Sequence, residues 1–291
     1  MPVERLREIV DIRVHNPGAI AEAAAGRVRA ASPVGENGRA MIIAADHPAR
    51  GALRSGGRPM AMADRADLLD RLCTALSRPG VTGVLATADI LEDLLLLGAL
   101  DGKTVFGSMN RGGLAGASFE MDDRFTAYDA AAIAAMGFGG GKMLLRIDYD
   151  DDRTAPTLGA CAAAVNELNA ARLIAMVEPF VSHRIDGAIK NDLSPDAMTR
   201  AIAIASGLGG ASAYTWLKVP VVEEMERVMA ASTLPALLLG GEVPADPEAA
   251  FANWGRALKL PTVKGLVVGR SLLYPEDDDV VSAVDTAAGL L

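Results

Sequence analysis

Short apolar runs, rich in β-branched and small residues, recur along the chain, and each ends in polar residues or glycine. They fall at Ala40–Ala45, Val81–Ala86, Thr104–Met109, Lys142–Ile147, Leu173–Val177, Tyr214–Val219, Ala236–Leu239 and Gly265–Val268. Runs of this length between turn residues read as buried strands. Longer stretches separate them, mostly with Asp, Ser or Thr near the start and Gly near the end, as helix caps require. These are Ala63–Ser77, Thr126–Ala135, Thr157–Asn169, Pro195–Ser206, Val222–Ala231, Pro247–Leu258 and Asp279–Ala287, with Asp89–Leu97 filling the gap after the second strand.

Strict alternation of strand and helix predicts a parallel sheet with helices outside it. Eight regular units favour closure into a (β/α)8 barrel, the TIM-barrel class, over an open doubly wound sheet. A barrel needs roughly 250 residues, and residues 40–291 supply them as one catalytic domain, since no Pro/Ser-rich linker divides the chain. Residues 1–39 read as an N-terminal extension with helices at Val3–Ile9 and Pro17–Val28. It is expected to cover the barrel bottom or to contact another subunit. No internal sequence repeat is visible.

Composition narrows the function. Hydrophobic residues are 51% of the 291, aromatics only 4%, and the formal charge is −9. An acidic chain repels nucleic acid and anionic membranes, so neither is an expected partner. A homo-oligomer is left open by the apolar helix faces and the N-terminal segment. Cys73 and Cys161 lie in apolar helical contexts and give no disulfide framework or zinc site. With no apolar leader after the first charges and no membrane-length apolar run, a cytoplasmic protein is expected.

Chemistry is expected at the C-terminal ends of the strands, where barrels of this kind place their active sites. Lys218 lies inside the apolar segment Tyr214–Pro220. Burial lowers a lysine's pKa, and a neutral amine can attack a carbonyl to form an iminium. The bland alternative is a lysine paired with a carboxylate at a strand end. Glu178 follows an apolar strand and precedes Pro179; it can shuttle protons or serve as partner to Lys218 or Lys142. By alternation Lys218 shares a face with Trp216 and Glu178 with Met176, so both stand above an apolar floor if those faces point inward. Gly240 and Gly241 after the seventh strand, with Gly269 and Arg270 after the eighth, fit the usual phosphate site of barrels. Arg146 and Arg111 either face the substrate or, for Arg111, sit on a surface loop. The acidic run Asp148, Asp150, Asp151 and Asp152 reads as a solvated loop. His15, His47 and His183 are isolated and lack zinc-ligand spacing, so no metal is expected.

In this order the motifs resemble the class I aldolases of the tagatose-1,6-bisphosphate and deoxyribose-phosphate aldolase superfamily, in fragments from about Ala40 to Tyr274. Lys142–Asp148 is similar to a fourth strand whose lysine helps hold the substrate. Val177-Glu178-Pro179 resembles the acid/base segment, Leu217-Lys218-Val219-Pro220 the Schiff-base segment, and Val268-Gly269-Arg270 the phosphate-binding end of the last strand. Asp46-His47 is similar to the Asp-His of archaeal-type fructose-bisphosphate aldolases, where the Asp orients substrate hydroxyls. The chain departs from the pattern at Arg146, where the tagatose enzymes carry a tyrosine, and at Gly240-Gly241-Glu242, which replaces a Ser-containing turn. Asn110–Phe125 has no counterpart.

The resemblance implies an enzyme without cofactor or metal that reversibly cleaves a phosphorylated keto sugar or sugar acid and releases dihydroxyacetone phosphate. Lys218 would form the Schiff base and Glu178 move protons. Asp46, Lys142, Arg146, Gly240, Gly241, Gly269 and Arg270 would bind substrate. The rivals are a deoxyribose-phosphate-type aldolase releasing acetaldehyde and a non-catalytic barrel that binds sugar phosphate.

Overall fold

Alternation within each strand decides what the sheet encloses. In the computed structural model, which describes residues 1–241 and 247–291, the strands are β1 (Ala40–Ala44), β2 (Gly83–Ala86), β3 (Thr104–Ser108), β4 (Gly140–Ile147), β5 (Ile174–Ile185), β6 (Ala188–Asp192), β7 (Thr215–Pro220), β8 (Ala236–Leu239) and β9 (Val263–Val268). They pair in the order β4-β3-β2-β1-β9-β8-β7-β5, and a β4–β5 ladder closes the ring. All ring pairings are parallel. The protein is therefore a (β/α)8 barrel, with β6 outside the ring.

One parity of each strand faces inward. Ile42, Leu85, Phe106, Met176, Leu237 and Val267 form a buried cluster inside the ring, and the opposite parity packs under the helices in a larger core. Burying side chains of this size contributes about 1.5–3 kcal/mol each. The inner cluster is the apolar floor on which the polar residues stand.

The N-terminal helices, Val3–His15 and Gly18–Gly26, lie on the outer wall. Arg13 reaches Glu92 and Asp93 of helix Ala88–Leu96, both at 2.8 Å. The barrel bottom is met instead by the segment that follows them. Val34 packs against the inner cluster, and Thr104 Oγ1 donates to the Ser32 carbonyl at 3.3 Å.

Several elements differ from the sequence expectation; the first helix runs on to His15 instead of ending at Ile9, and the one expected over Thr126–Ala135 starts at Ala130. β5 continues eight residues past Val177 and folds back as the antiparallel hairpin strand β6. Pro179 suggested an end, since proline removes a ladder donor. The pairing of β5 with β7 stops at Val177, leaving Pro179 paired to β4 alone, an edge position where proline is tolerated. The helix expected at Val222–Ala231 shrinks to Met225–Met229, preceded by Glu224 at φ 51. Most other helices begin as read; Asp64, Asp129, Ser194 and Asp279 each cap one by accepting a backbone N–H.

Candidate active site

The inward parity that builds the floor continues upward into charge. On β4, Lys142 stands beside Met176 of β5, and one inward step higher Leu144 pairs with Glu178. On β7, Trp216 pairs with Met176, which brings Lys218 level with Glu178. β1 ends at Ala44, and two residues on Asp46 keeps the same inward phase.

These four residues meet. Lys218 Nζ lies 2.8 Å from Glu178 Oε1. Glu178 Oε2 pairs with Lys142, whose Nζ also donates to Asp46 Oδ2 at 3.2 Å. The same Asp46 oxygen accepts from Ser108 Oγ at 2.9 Å and lies 3.1 Å from Arg111 Nη1. A continuous line of opposite charges thus runs from Lys218 through residues on β7, β5 and β4 to Asp46 and Arg111, just past the ends of β1 and β3. The bland partner role foreseen for Glu178 is filled by both lysines at once.

Burial and pairing oppose each other along this line. Burial acts to raise the Glu178 carboxyl, but Lys142 and Lys218 outweigh it and bring it down to about 2. Burial likewise acts against the Asp46 charge, yet Arg111, Lys142 and Lys218 hold that carboxyl well below the usual carboxylate range. For Lys142, burial and the Arg111 cation prevail over the two carboxylates and lower it to about 8. Both carboxylates are therefore ionised near neutral pH, while Lys142 can give up a proton.

The line forms one wall of a cavity of about 490 Å³ at the C-terminal mouth of the barrel. Opposite it lie the glycine ends of β8 and β9. Gly241 adopts φ 66, a left-handed conformation that glycine supplies. A side chain at Gly269 would strike the Ala44 carbonyl and the His47 ring. Arg270 donates to the carbonyls of Gly241 and Arg54 at 3.3 and 3.4 Å, which sets its guanidinium beside the glycine turn. Glu242 lies outside the described residues. Around the cavity, arginines and lysines outnumber Asp46, Glu120 and Glu178, although the whole chain carries −9.

Segment 110–125 forms the third side. Asn110 is spliced onto β4, donating to the Leu144 carbonyl at 2.6 Å and accepting from its N–H at 2.7 Å. The segment then loops over the mouth and returns through a bridge between Asn110 and Phe125. Arg146 grips it by a two-pronged pair to Asp123 at 2.8 and 2.7 Å and by a contact to Glu120 at 3.2 Å. Arg50 holds the same Glu120 at 3.3 Å and the Gly113 carbonyl at 2.7 Å. Gly113 sits so near that a side chain there would enter the Arg146–Asp123 pair.

The Cgl0159-like family profile matches residues 38–288. The chain belongs to the Cgl0159-like family. Among solved structures it is similar to Cgl0159 from Corynebacterium glutamicum, with 54% identity and a TM-score of 0.97 over 100% of this chain and 97% of that one. An archaeal fructose 1,6-bisphosphate aldolase shares 17% identity with a TM-score of 0.66, over 93% of this chain and 98% of its own. A Schiff base forming fructose-1,6-bisphosphate aldolase shares 18% identity with the same TM-score, over 93% and 99%. At such identity the likeness is one of fold. No curated protein matches the chain.

The structure of this Cgl0159-like protein brings Lys218, Glu178, Asp46, Lys142 and Arg146 to one cavity with Gly240, Gly241, Gly269 and Arg270. Sequence reading left Arg111 between substrate and surface; it is 5% exposed and tied to Asp46. Ser108 and Arg50 were missed altogether. Ser108 could have been found from inward parity at the end of β3. Arg50 had no signal, because its partners lie on a loop with no periodic pattern. The acidic run after β4 is used locally: Asp151 pairs with Arg153 at 2.8 Å and Asp148 accepts from Asp150 N–H at 3.2 Å. Among the described residues no three His, Cys, Asp or Glu gather as metal ligands, and no helix is long and apolar enough to cross a membrane.

Proposed function

We propose that this Cgl0159-like protein is a class I aldolase that reversibly cleaves a phosphorylated keto sugar or sugar acid, with dihydroxyacetone phosphate as one product. The observation that carries this reading is the Lys218 amine, 4% exposed on the cavity wall and 2.8 Å from the Glu178 carboxylate. The aldolase similar in fold is described as Schiff base forming, which agrees with it.

The chemistry follows from the groups present. The Lys218 amine attacks the substrate carbonyl carbon, and Glu178 is placed to pass protons between the amine and the carbinolamine oxygen as water leaves. The resulting iminium draws the electrons of the adjacent carbon–carbon bond when it breaks, leaving an enamine on Lys218 and an aldehyde. Asp46 orients substrate hydroxyls through Oδ1, the oxygen not taken by Ser108 and Lys142. The phosphate lies against Gly240, Gly241, Gly269 and Arg270. Lys142 serves as counter-ion and proton reservoir between Asp46 and Glu178, and Arg146 holds the 110–125 loop in place of a substrate group. The cationic excess of the cavity suits an anionic substrate.

Borohydride reduction in the presence of dihydroxyacetone phosphate tests the reading. The expected result is one covalent adduct, mapped by peptide mass spectrometry to Lys218 and absent from Lys218→Ala protein. Acetaldehyde release from deoxyribose phosphate would move the activity to the deoxyribose type. Sugar-phosphate binding with neither adduct nor turnover would make the barrel a sensor.

A further inference from the structure

We propose that His47 is a catalytic residue whose Nε2 takes the proton from the substrate hydroxyl that becomes the aldehyde. This rests on the aldolase reading above, which leaves that proton without an acceptor. Glu178 is held at both oxygens by Lys218 and Lys142. Asp46 is bound by Ser108, Lys142 and Arg111. Glu178 is engaged by the lysines it serves in the carbinolamine step, and Asp46 is an anion stabilised by cations and so a weak base.

The geometry of His47 differs from theirs. Its ring lies on the cavity wall with the side chain 22% exposed. Nδ1 is buried and makes no hydrogen bond among the described residues, while Asp46 Oδ1 lies 3.9 Å away. That distance is too long for a hydrogen bond, but the carboxylate favours the tautomer with hydrogen on Nδ1. Nε2 is then left as the lone-pair acceptor. It is not among the buried unpartnered atoms and takes part in no hydrogen bond among the described residues. A Cβ at Gly269 would sit 3.2 Å from Cε1, so the ring packs against the glycine end of β9.

The charges around it give a switch. Burial, Arg270, Lys218 and Lys142 lower the imidazole to about 3 against the pull of Asp46. A phosphate dianion at Arg270 cancels one of these repulsions, and conversion of Lys218 to substrate-bound states changes another. Substrate binding therefore raises the basicity of His47 where it is needed, and Asp46 stabilises the imidazolium that forms. In the cleavage step the hydroxyl proton moves to Nε2 and the carbon–oxygen bond becomes the aldehyde carbonyl. The carbon–carbon pair moves into the enamine and neutralises the iminium nitrogen. The imidazolium returns its proton to solvent after the aldehyde leaves, so no outside oxidant or reductant is required.

The test compares His47→Gln with wild type in two assays, after circular dichroism has confirmed folding. Dihydroxyacetone phosphate alone reports Schiff-base formation, through borohydride trapping and exchange of its carbon-bound hydrogen with deuterated water. Fructose 1,6-bisphosphate, or the first of a panel of phosphorylated ketoses that wild type turns over, reports cleavage. The expected result is trapping and exchange within a few-fold of wild type and cleavage slower by roughly 10²–10⁴-fold. In wild type the acid limb of kcat should lie at higher pH than that of kcat/KM, because the phosphate is bound only in the former. Unimpaired cleavage, equal losses in both assays, or coincident acid limbs would each overturn the proposal. Absence of any wild-type adduct would instead overturn the aldolase reading itself.

Discussion

Lys142 and Asp46 are separated by 96 residues in the chain, yet their side chains meet at 3.2 Å near the floor of the cavity. The same ammonium contacts Glu178, so two of its three N–H groups are taken by carboxylates. Lys218 contacts one. The two lysines therefore differ in how many carboxylates hold them.

From that difference, the covalent adduct with dihydroxyacetone phosphate should stay on Lys218 in Lys142→Met protein while turnover drops on the order of 10²-fold, the scale of lost proton transfer. Peptide mapping after borohydride reduction measures the first and a coupled assay the second. An adduct on Lys142 in Lys218→Met protein, with turnover retained, would exchange their roles.

The acid side of the stability curve should carry the signature of Glu178. Its carboxyl is held at about 2 in the fold against an ordinary 4.5, so the folded state binds that proton more weakly than the unfolded state. The stabilisation is fully present above pH 4.5 and is lost as pH falls from 4.5 to 2. Urea melts of wild type and Glu178→Gln should therefore differ most above pH 4.5 and converge below it. Lys142, lowered from 10.5 to about 8, has the same sense in a higher window: its contribution to stability rises as pH climbs from 8 to 10.5. A wild-type-minus-variant difference that stayed constant down to pH 2 would contradict the Glu178 assignment.

Arg146→Ala should destabilise the protein by about 3–5 kcal/mol, the usual effect of stranding one partner of a buried pair. Asp123 is 0% exposed in its side chain and would be left charged without its fork. Arg146→Met combined with Asp123→Leu should recover most of the loss. Equilibrium denaturation checks both, and protease cleavage within 110–125 of the single variant checks the loop. A loss below about 1 kcal/mol, the range of an exposed pair, would sink the idea that this pair anchors the loop.

Arg270→Ala should raise KM for a phosphorylated substrate roughly ten- to a hundredfold, from the ~1.5–3 kcal/mol of a hydrogen bond to a charged group, with little change in melting temperature. The decisive comparison is with the unphosphorylated analogue. If the variant discriminates between the two as well as wild type does, phosphate binds elsewhere.

The barrel was legible along the chain because its signal is local. Apolar runs, their spacing, and capping residues such as Asp64 and Ser194 act within a few positions of one another, so eight units could be read without knowing which strand meets which. Parity also placed Lys218 above Trp216 and Glu178 above Met176, since side chains alternate by backbone geometry alone. Closure of the ring then had to bring those residues to a common mouth.

What a long side chain touches there is a matter of three-dimensional packing. Lys142, read as a substrate ligand, lies between Asp46 and Glu178 and pairs with both. Arg146, read as facing the substrate, is paired to Asp123, on a segment without periodicity. Arg111, read as facing either the substrate or the surface, is buried against Asp46. Local pattern carries the strands because burial there depends on period; charge pairing depends on positions tens of residues apart, and only the folded barrel sets those distances.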